Sequence, residues 1–482
     1  MTTPIERPSL DPEQFRRQAH EIVDWMADYL RDLGTRPVQP ASEPGAVRAA
    51  LPAAPPLSGE PFERIMADFE RIIVPGLTHW GHPGFLAYFP ANTSPPSILA
   101  EMLTAAIGAQ CMSWNTSPAA TELEQVTMEW LRQMVGLSAE FTGVIQDTAS
   151  TATFVAMVTA RDRAVGKEGG RAGALESLTS YTTQEANHSV PKGMRLAGIR
   201  PGHIRMVETG PDNAMVPEAL RRQILADRAA GLVPAAVVAT VGTTGSTAID
   251  PVPEIAAICR EESVWLHVDA AWAGSAAIVP ELRWVFAGVD AADSVVFNPH
   301  KWLLVNFDCS AYFVKDRAAL LGSFGASAEI LRTAHDDRVV NYRDWGIQLG
   351  RRFRALKLWF VIRTYGVEGL RAMIREHVRL GKVLADWIER EPEFEVVAPA
   401  RLGLVVFRYR GEAPGNRQQA TGDLDELNRR LQERVNATGK IFITGTRLGG
   451  RYVLRVALGH LTTSEADVRA AWDLIATAAR AR

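Results

Sequence analysis

Between about residues 86 and 365, short unbroken runs of apolar and β-branched residues recur, each followed by a stretch with helical spacing. The clearest are Ala235-Ala236-Val237-Val238-Ala239-Thr240, Val264-Trp265-Leu266-His267-Val268 and Ser294-Val295-Val296-Phe297. A strand that is apolar on both faces must be covered on both. Strands of this kind alternating with helices predict an α/β domain whose mostly parallel sheet carries helices on both faces. With 482 residues, 47% hydrophobic and 22% charged, the chain has the composition of an ordinary globular protein. It is longer than one typical domain, so a second, smaller unit is expected.

The flanks read differently. Asp11-Pro12-Glu13 opens a helix whose Phe15, Ala19, Ile22, Val23, Met26 and Leu30 form one apolar stripe, and a proline-rich connector follows over 37–61. Residues 1–85 therefore form a helical and extended segment that either crosses a dimer interface or packs back on its own subunit. From about 366 the pattern predicts a small α+β domain to residue 482, with strands near 394–397, 404–409, 441–444 and 452–456, and helices over 422–437 and from Ser464. Fifty-two Lys and Arg against 55 Asp and Glu leave a net charge of −3 without long like-charged runs, so no nucleic-acid footprint is present. The three cysteines are widely separated and lack C-x-x-C spacing, which excludes a disulfide framework or zinc knuckle. No leader pattern and no run of 18 apolar residues occurs, and a cytoplasmic protein without membrane contact is expected.

Three motifs carry chemistry. Phe297-Asn298-Pro299-His300-Lys301-Trp302 puts a lysine after an apolar strand, where desolvation favours the neutral amine that forms a Schiff base with a carbonyl. The alternative is a solvated, snorkelling side chain. His267-Val268-Asp269-Ala270-Ala271-Trp272-Ala273-Gly274 ends another strand with an acid and small residues, at the strand end where ligands sit in open α/β sheets. An acid there can pair with a protonated pyridine nitrogen, and Ala271 leaves room for a flat ring. A metal held by His267 and Asp269 is the competing reading, but no third ligand is near in sequence. Gly143-Val144-Ile145-Gln146-Asp147-Thr148-Ala149-Ser150-Thr151 leads into a helix whose free amides suit a phosphate, although a plain helix cap explains the same residues.

Turn, acid and lysine occur in that chain order, and Asn298-Pro299-His300-Lys301-Trp302-Leu303, His267-Val268-Asp269-Ala270-Ala271, Ser113-Trp114-Asn115-Thr116-Ser117-Pro118-Ala119 and Leu349-Gly350-Arg351-Arg352-Phe353-Arg354 resemble the aromatic L-amino acid decarboxylases, group II pyridoxal-phosphate enzymes that include an aldehyde-synthase branch. The resemblance implies a fold-type I homodimer with active sites at the subunit interface and pyridoxal 5'-phosphate as cofactor. It implies that Lys301 holds the cofactor, Asp269 pairs with its ring nitrogen and Ala271 backs the ring, while Ala149, Ser150, Asn298 and His300 hold the phosphate and Thr244 lies near. Trp80, Tyr88 and Phe89 resemble the family's aromatic pocket wall, and Gln110 and Met112 fall where the second subunit contributes side chains. Gly350 resembles the indole-accepting type, so tryptophan joins phenylalanine, tyrosine and dopa as substrates to expect.

Two departures bear on the product. The family pattern Ala-His-x-Ser-Val becomes Ala186-Asn187-His188-Ser189-Val190, which places Asn187 at the position stacked on the ring unless a one-residue shift restores His188. In a lid expected over 324–337, Ile330 stands where the decarboxylases carry a proton-donating tyrosine. Loss of carbon dioxide depends on Asp269 and the cofactor and should survive both changes. Isoleucine cannot reprotonate the resulting carbanion, so either another acid yields the amine, or dioxygen intervenes to give an aldehyde, ammonia and hydrogen peroxide.

Overall fold

The structure is a computed structural model that describes residues 10–167, 174–325, 335, 338–411 and 421–481. The N-terminal stripe becomes helix α1 (Pro12–Asp32), capped by Asp11, whose carboxylate accepts from the amides of Glu13 and Gln14. None of its residues is buried, and Phe15, Ile22 and Val23 face outward. Beyond two short helices, Ala46–Ala50 and Phe62–Asp68, come α2 (Pro95–Ile107), which exposes Leu99, Met102, Leu103 and Ile107, and the half-buried α3 (Pro118–Val135).

The large sheet contains β1 (Thr142–Gln146), β2 (Leu178–Thr183), β3 (Ile204–Val207), β4 (Val233–Thr240), β5 (Trp265–Asp269), β6 (Ser294–Phe297) and β7 (Ser310–Val314). Its order is β1-β7-β6-β5-β4-β2-β3, parallel except that β7 runs antiparallel to both neighbours. β5 and β6 are buried along their whole length, as their unbroken apolar runs require, and helices cover both faces. In register, Thr240 of β4 lies beside Asp269 of β5, which lies beside Val296 of β6, so the carboxyl ends of three central strands meet at one edge. α4 (Ala149–Lys167) starts at that edge, three residues beyond β1.

A long helix, α5 (Arg354–Glu389), links the large sheet to the C-terminal part. It breaks at Gly366, whose φ of 64° suits a residue without Cβ. Beyond it, β8 (Phe394–Ala398), β9 (Leu404–Tyr409), β10 (Thr444–Leu448) and β11 (Arg451–Ala457) form an antiparallel sheet in the order β10-β11-β9-β8. α6 (Thr421–Ala437) and α7 (Glu465–Arg480) accompany it, the latter opened by a Ser464–Asp467 capping box. The strand expected over 441–444 is displaced, because Phe442 exchanges backbone hydrogen bonds with the extended segment at Gly84 and Leu86 and the ladder starts only at Thr444.

Candidate active site

The ends of β4, β5 and β6 and the start of α4 enclose a cavity of about 230 Å³. Lys301, Asp269 and His300, scattered over 32 positions of sequence, all line it. Asp269 is 4% exposed; its Oδ1 accepts the Ala271 amide at 3.0 Å, leaving Oδ2 for a ligand. Burial pushes its carboxyl up, while the nearby Lys301 ammonium opposes that rise. Burial likewise pushes the Lys301 amine down, against the pull of Asp269. Lys301 Nζ lies 5.7 Å from the centre of the Phe89 ring. Phe89 stacks on Trp272 at 4.3 Å, and Trp272 on Trp302 at 4.2 Å, an aromatic slab that keeps water from this side of the amine.

The opposite pole consists of hydrogen-bond donors. The Cys309 amide donates to His300 Nδ1 at 2.9 Å, so the neutral ring carries its proton on Nε2. Burial pushes this imidazole down to about 3, which keeps it neutral at physiological pH. Ser310 donates its hydroxyl proton to Asn298 Oδ1 at 2.7 Å and leaves the Asn298 amide group to donate. The Thr148 hydroxyl accepts the Thr151 amide at 3.3 Å, while Ala149 and Ser150 border the cavity at the first turn of α4. Neutral donors at a helix N-terminus are complementary to an anion.

Asn187 lines the cavity, with Oδ1 accepting the Ser189 amide at 3.0 Å and Nδ2 donating to Thr244 Oγ1 at 3.4 Å. His188 is exposed and outside the lining. The segment is a turn rather than a strand, so neighbouring side chains diverge, and of Asn187 and His188 it is Asn187 that lines the cavity. Ala271 and Thr244 also line the cavity, whereas Trp80 and Tyr88 do not; they are half-exposed and stacked 5.8 Å apart. Gln110, Met112 and Gly350 form a separate group. Gln110 Oε1 accepts the Arg351 amide at 2.7 Å, a Cβ at Gly350 would come within 3.1 Å of Gln110 Nε2, and the Met112 carbonyl accepts from the Arg343 amide at 2.8 Å. Ile330 lies outside the described residues. Sequence reasoning missed Phe307 and Thr240 on the wall. Thr240 ends an apolar run and was open to discovery, but nothing in the sequence marks Phe307.

The Pyridoxal-dependent decarboxylase conserved domain matches residues 44–410. The chain belongs to the pyridoxal-dependent decarboxylase family. It is 44% identical to the aromatic-L-amino-acid decarboxylase of Mus musculus, with 97% of each chain covered. The crystal structure of Oryza sativa TDC with PLP and tryptamine superposes with a TM-score of 0.96 at 39% identity, covering 98% of this chain and 99% of that one. The Rhodiola rosea 4-hydroxyphenylacetaldehyde synthase superposes with a TM-score of 0.92 at 37% identity over 98% and 99%. Amine-forming and aldehyde-forming members of the family thus share this fold.

The cavity fits the family's cofactor on its own chemistry. A partly buried amine and a buried carboxylate line the same cavity, small Ala271 leaves a flat wall, and the donor pole suits a phosphate. Thr240 Oγ1 is buried on the same wall without a partner among the described residues, a group that a polar ligand would satisfy. Metal binding at His267 is not supported. Its Nδ1 is 2.9 Å from Ser294 Oγ and its Nε2 3.4 Å from Thr153 Oγ1, and among the described residues no cluster of three potential ligands occurs. No described helix is long and apolar enough to cross a membrane.

Proposed function

We propose that the chain decarboxylates an aromatic L-amino acid, tryptophan, phenylalanine, tyrosine or dopa, to the corresponding amine. The observation that carries this reading is the partly buried Lys301 beside the buried Asp269, set between an aromatic slab and a pole of neutral donors. Bound pyridoxal phosphate supplies the electron sink for the bond that breaks. Lys301 binds the cofactor carbonyl, Asp269 keeps a ring cation charged, and Ala149, Ser150, Asn298 and His300 hold the phosphate without contributing charge. Phe89 excludes water beside Lys301. Because desolvation weakens its hold on a proton, Lys301 is also able to return one to the substrate carbon.

A second reading, oxidative formation of the aromatic acetaldehyde, has a specific support. Among the described residues lining the cavity, the ionisable groups are Asp269, His300 and Lys301, and Asn187 supplies no acid at the mouth. If Lys301 is slow, dioxygen takes the two electrons left by decarboxylation and becomes hydrogen peroxide, and one water hydrolyses the resulting imine, so amino acid, dioxygen and water give aldehyde, ammonia, hydrogen peroxide and carbon dioxide. Aerobic turnover with carbon dioxide, amine, aldehyde and peroxide quantified together decides between them. Amine equal to carbon dioxide supports the first reading, and aldehyde and peroxide equal to it the second.

The working unit in this proposal is a homodimer. Its support is the apolar surface left by Phe15, Ile22 and Val23 of α1 and by Leu99, Met102, Leu103 and Ile107 of α2. Trp80, Tyr88, Gln110, Met112 and Gly350, outside the cavity in one chain, would then complete the aromatic substrate pocket where subunits meet. A cytoplasmic location belongs to the same reading, supported by three buried, unpaired thiols at Cys111, Cys259 and Cys309.

A further inference from the structure

Four consecutive residues, Phe307-Asp308-Cys309-Ser310, hold the donor pole of the cavity in shape. The Cys309 amide donates to His300 Nδ1 at 2.9 Å, and the Cys309 carbonyl accepts the His300 amide at 3.3 Å. The Phe307 ring, itself on the cavity wall, leans on the imidazole with 4.7 Å between ring centres. Ser310 Oγ donates to Asn298 Oδ1 at 2.7 Å. The run therefore orients both side chains that offer donors to an anion from this end of β6.

Asp308, in the middle of the run, is outside the cavity lining. Arg354, the first residue of α5 and 6% exposed, grips it from behind: Nε donates to Oδ1 at 3.0 Å and Nη2 to Oδ2 at 3.1 Å, a bidentate fork. Burial would raise the Asp308 carboxyl, but the Arg354 bonds bring it below its ordinary value, so it is ionised at neutral pH. Arg352 also reaches Asp308, at 3.4 Å, yet its side chain is half-exposed and shared with Glu101. Lys357, the other buried cation here, pairs with Glu101 at 3.0 Å, and Asp147 adds to the field at Arg354 only from longer range. Arg354 is thus the buried cation that fixes Asp308. The proposed chemistry uses neither residue. Two observations give the pair more than a stabilising part. The run that it grips touches His300 at its amide, its Nδ1 and its ring face, so any shift of the run moves the Nε2 donor. An ionised carboxylate one residue away from a pole of neutral donors would also repel a phosphate dianion unless a cation compensated it.

We propose that Asp308 and Arg354 are positioning residues for the cofactor's phosphate group: their fork fixes the Phe307–Ser310 run, and the run aims His300 Nε2 and the Asn298 amide at the phosphate. The proposal rests on the placement of the phosphate at this pole in the reading above, and it is independent of which amino acid reacts and of the product formed. Because the fork acts on the phosphate pole alone, it leaves the contacts of Lys301, Asp269 and Ala271 with the ring in place. Pyridoxal, which has the ring and the carbonyl without the phosphate, separates the two.

The test titrates full-length apoenzyme with pyridoxal 5'-phosphate and with pyridoxal, each followed by the absorbance of the bound chromophore and without any amino acid. Asp308→Asn should raise the Kd of pyridoxal 5'-phosphate at least about tenfold and that of pyridoxal less than about twofold, so that discrimination between the two falls. Arg354→Gln, which also leaves the carboxylate uncompensated, should lose at least as much. Arg354→Lys keeps the charge without the fork and should recover part of the affinity, ending about threefold weaker than the unaltered protein. His300→Gln is the reference for where the phosphate lies. Discrimination lost in His300→Gln but intact in Asp308→Asn overturns the positioning role and leaves the phosphate at this pole, whereas discrimination intact in His300→Gln removes that placement and the proposal with it. Equal losses for the two ligands in Asp308→Asn would mean that the fork only stabilises the fold, and overturn the proposal as well. Should Asp308→Asn fail to fold, Arg354→Lys carries the same comparison, and intact discrimination there overturns it.

Discussion

Replacing Asp269 by Asn tests the electrostatic centre of the site. The side chain is 4% exposed and its Oδ1 is committed to the Ala271 amide at 3.0 Å, so an asparagine that keeps this bond turns its NH₂ group toward the ligand. The substitution removes a buried charge and puts a donor where a ring cation also donates. Breaking a buried charge pair from one side costs about 3–5 kcal/mol. At about 1.4 kcal/mol per decade, that is roughly two to three and a half orders of magnitude, divided between cofactor affinity and kcat. Lys301 would also lose the carboxylate that raises its pKa and become still easier to deprotonate. The assay is a titration of apoenzyme with pyridoxal phosphate, followed by carbon dioxide release at saturating cofactor. A product of the two losses below about threefold would refute the assignment of Asp269 as the ring's counter-charge.

Ala271→Leu should weaken cofactor binding at least about tenfold while leaving the melting temperature of the apoenzyme within a few degrees, because the new side chain enters the cavity; absorbance titration and calorimetry check both. Stability should fall with acidification earlier than carboxylates alone would cause. His267, His300 and His460 are pushed by burial to about 3 and His377 to about 4, so the unfolded chain binds more protons below its histidine pKa of about 6.5. Each histidine then costs about 2 kcal/mol by pH 5, full stability being present above that unfolded value. Asp250, raised to about 6 by burial, acts in the opposite sense and offsets part of the loss. A urea midpoint that stays flat from pH 7 to 5 would contradict this. Glu124→Gln, which leaves Arg351 buried without its carboxylate partner, should cost about 3–5 kcal/mol in denaturant unfolding, and a loss under 1 kcal/mol would refute the pair's structural weight. Leu103→Glu on the exposed face of α2 should shift the sedimentation of the enzyme toward monomer, and an unchanged dimer would place the interface elsewhere.

Much of the site was readable because its chemistry is local. Asp269 and Lys301 each sit just past an apolar run that had to be a buried strand, and strand ends meet at one edge of an open sheet. The same locality made Ala149 and Ser150 visible, since a small-residue turn before a helix presents its amides whatever surrounds it. The 441–444 strand was misplaced for the complementary reason. Phe442 has strand propensity, but its hydrogen bonds went to a segment more than 350 residues away in sequence, around Gly84 and Leu86.

The amino-acid sequence by itself thus determined the α/β class, the buried strands and the chain order of small-residue turn, acid and lysine, because apolar periodicity and helix-start chemistry act over a few residues. Only the tertiary structure decided that Asn187 rather than His188 faces the cavity, since side-chain direction in a turn depends on its backbone path. It decided the His300 tautomer as well, through the Cys309 amide. The tertiary structure also brought Arg455, from a strand 154 positions beyond Lys301, over the Phe89 ring without an acidic partner among the described residues. Charge compensation is a property of space, and packing distributes it between segments that carry no mark of each other in sequence.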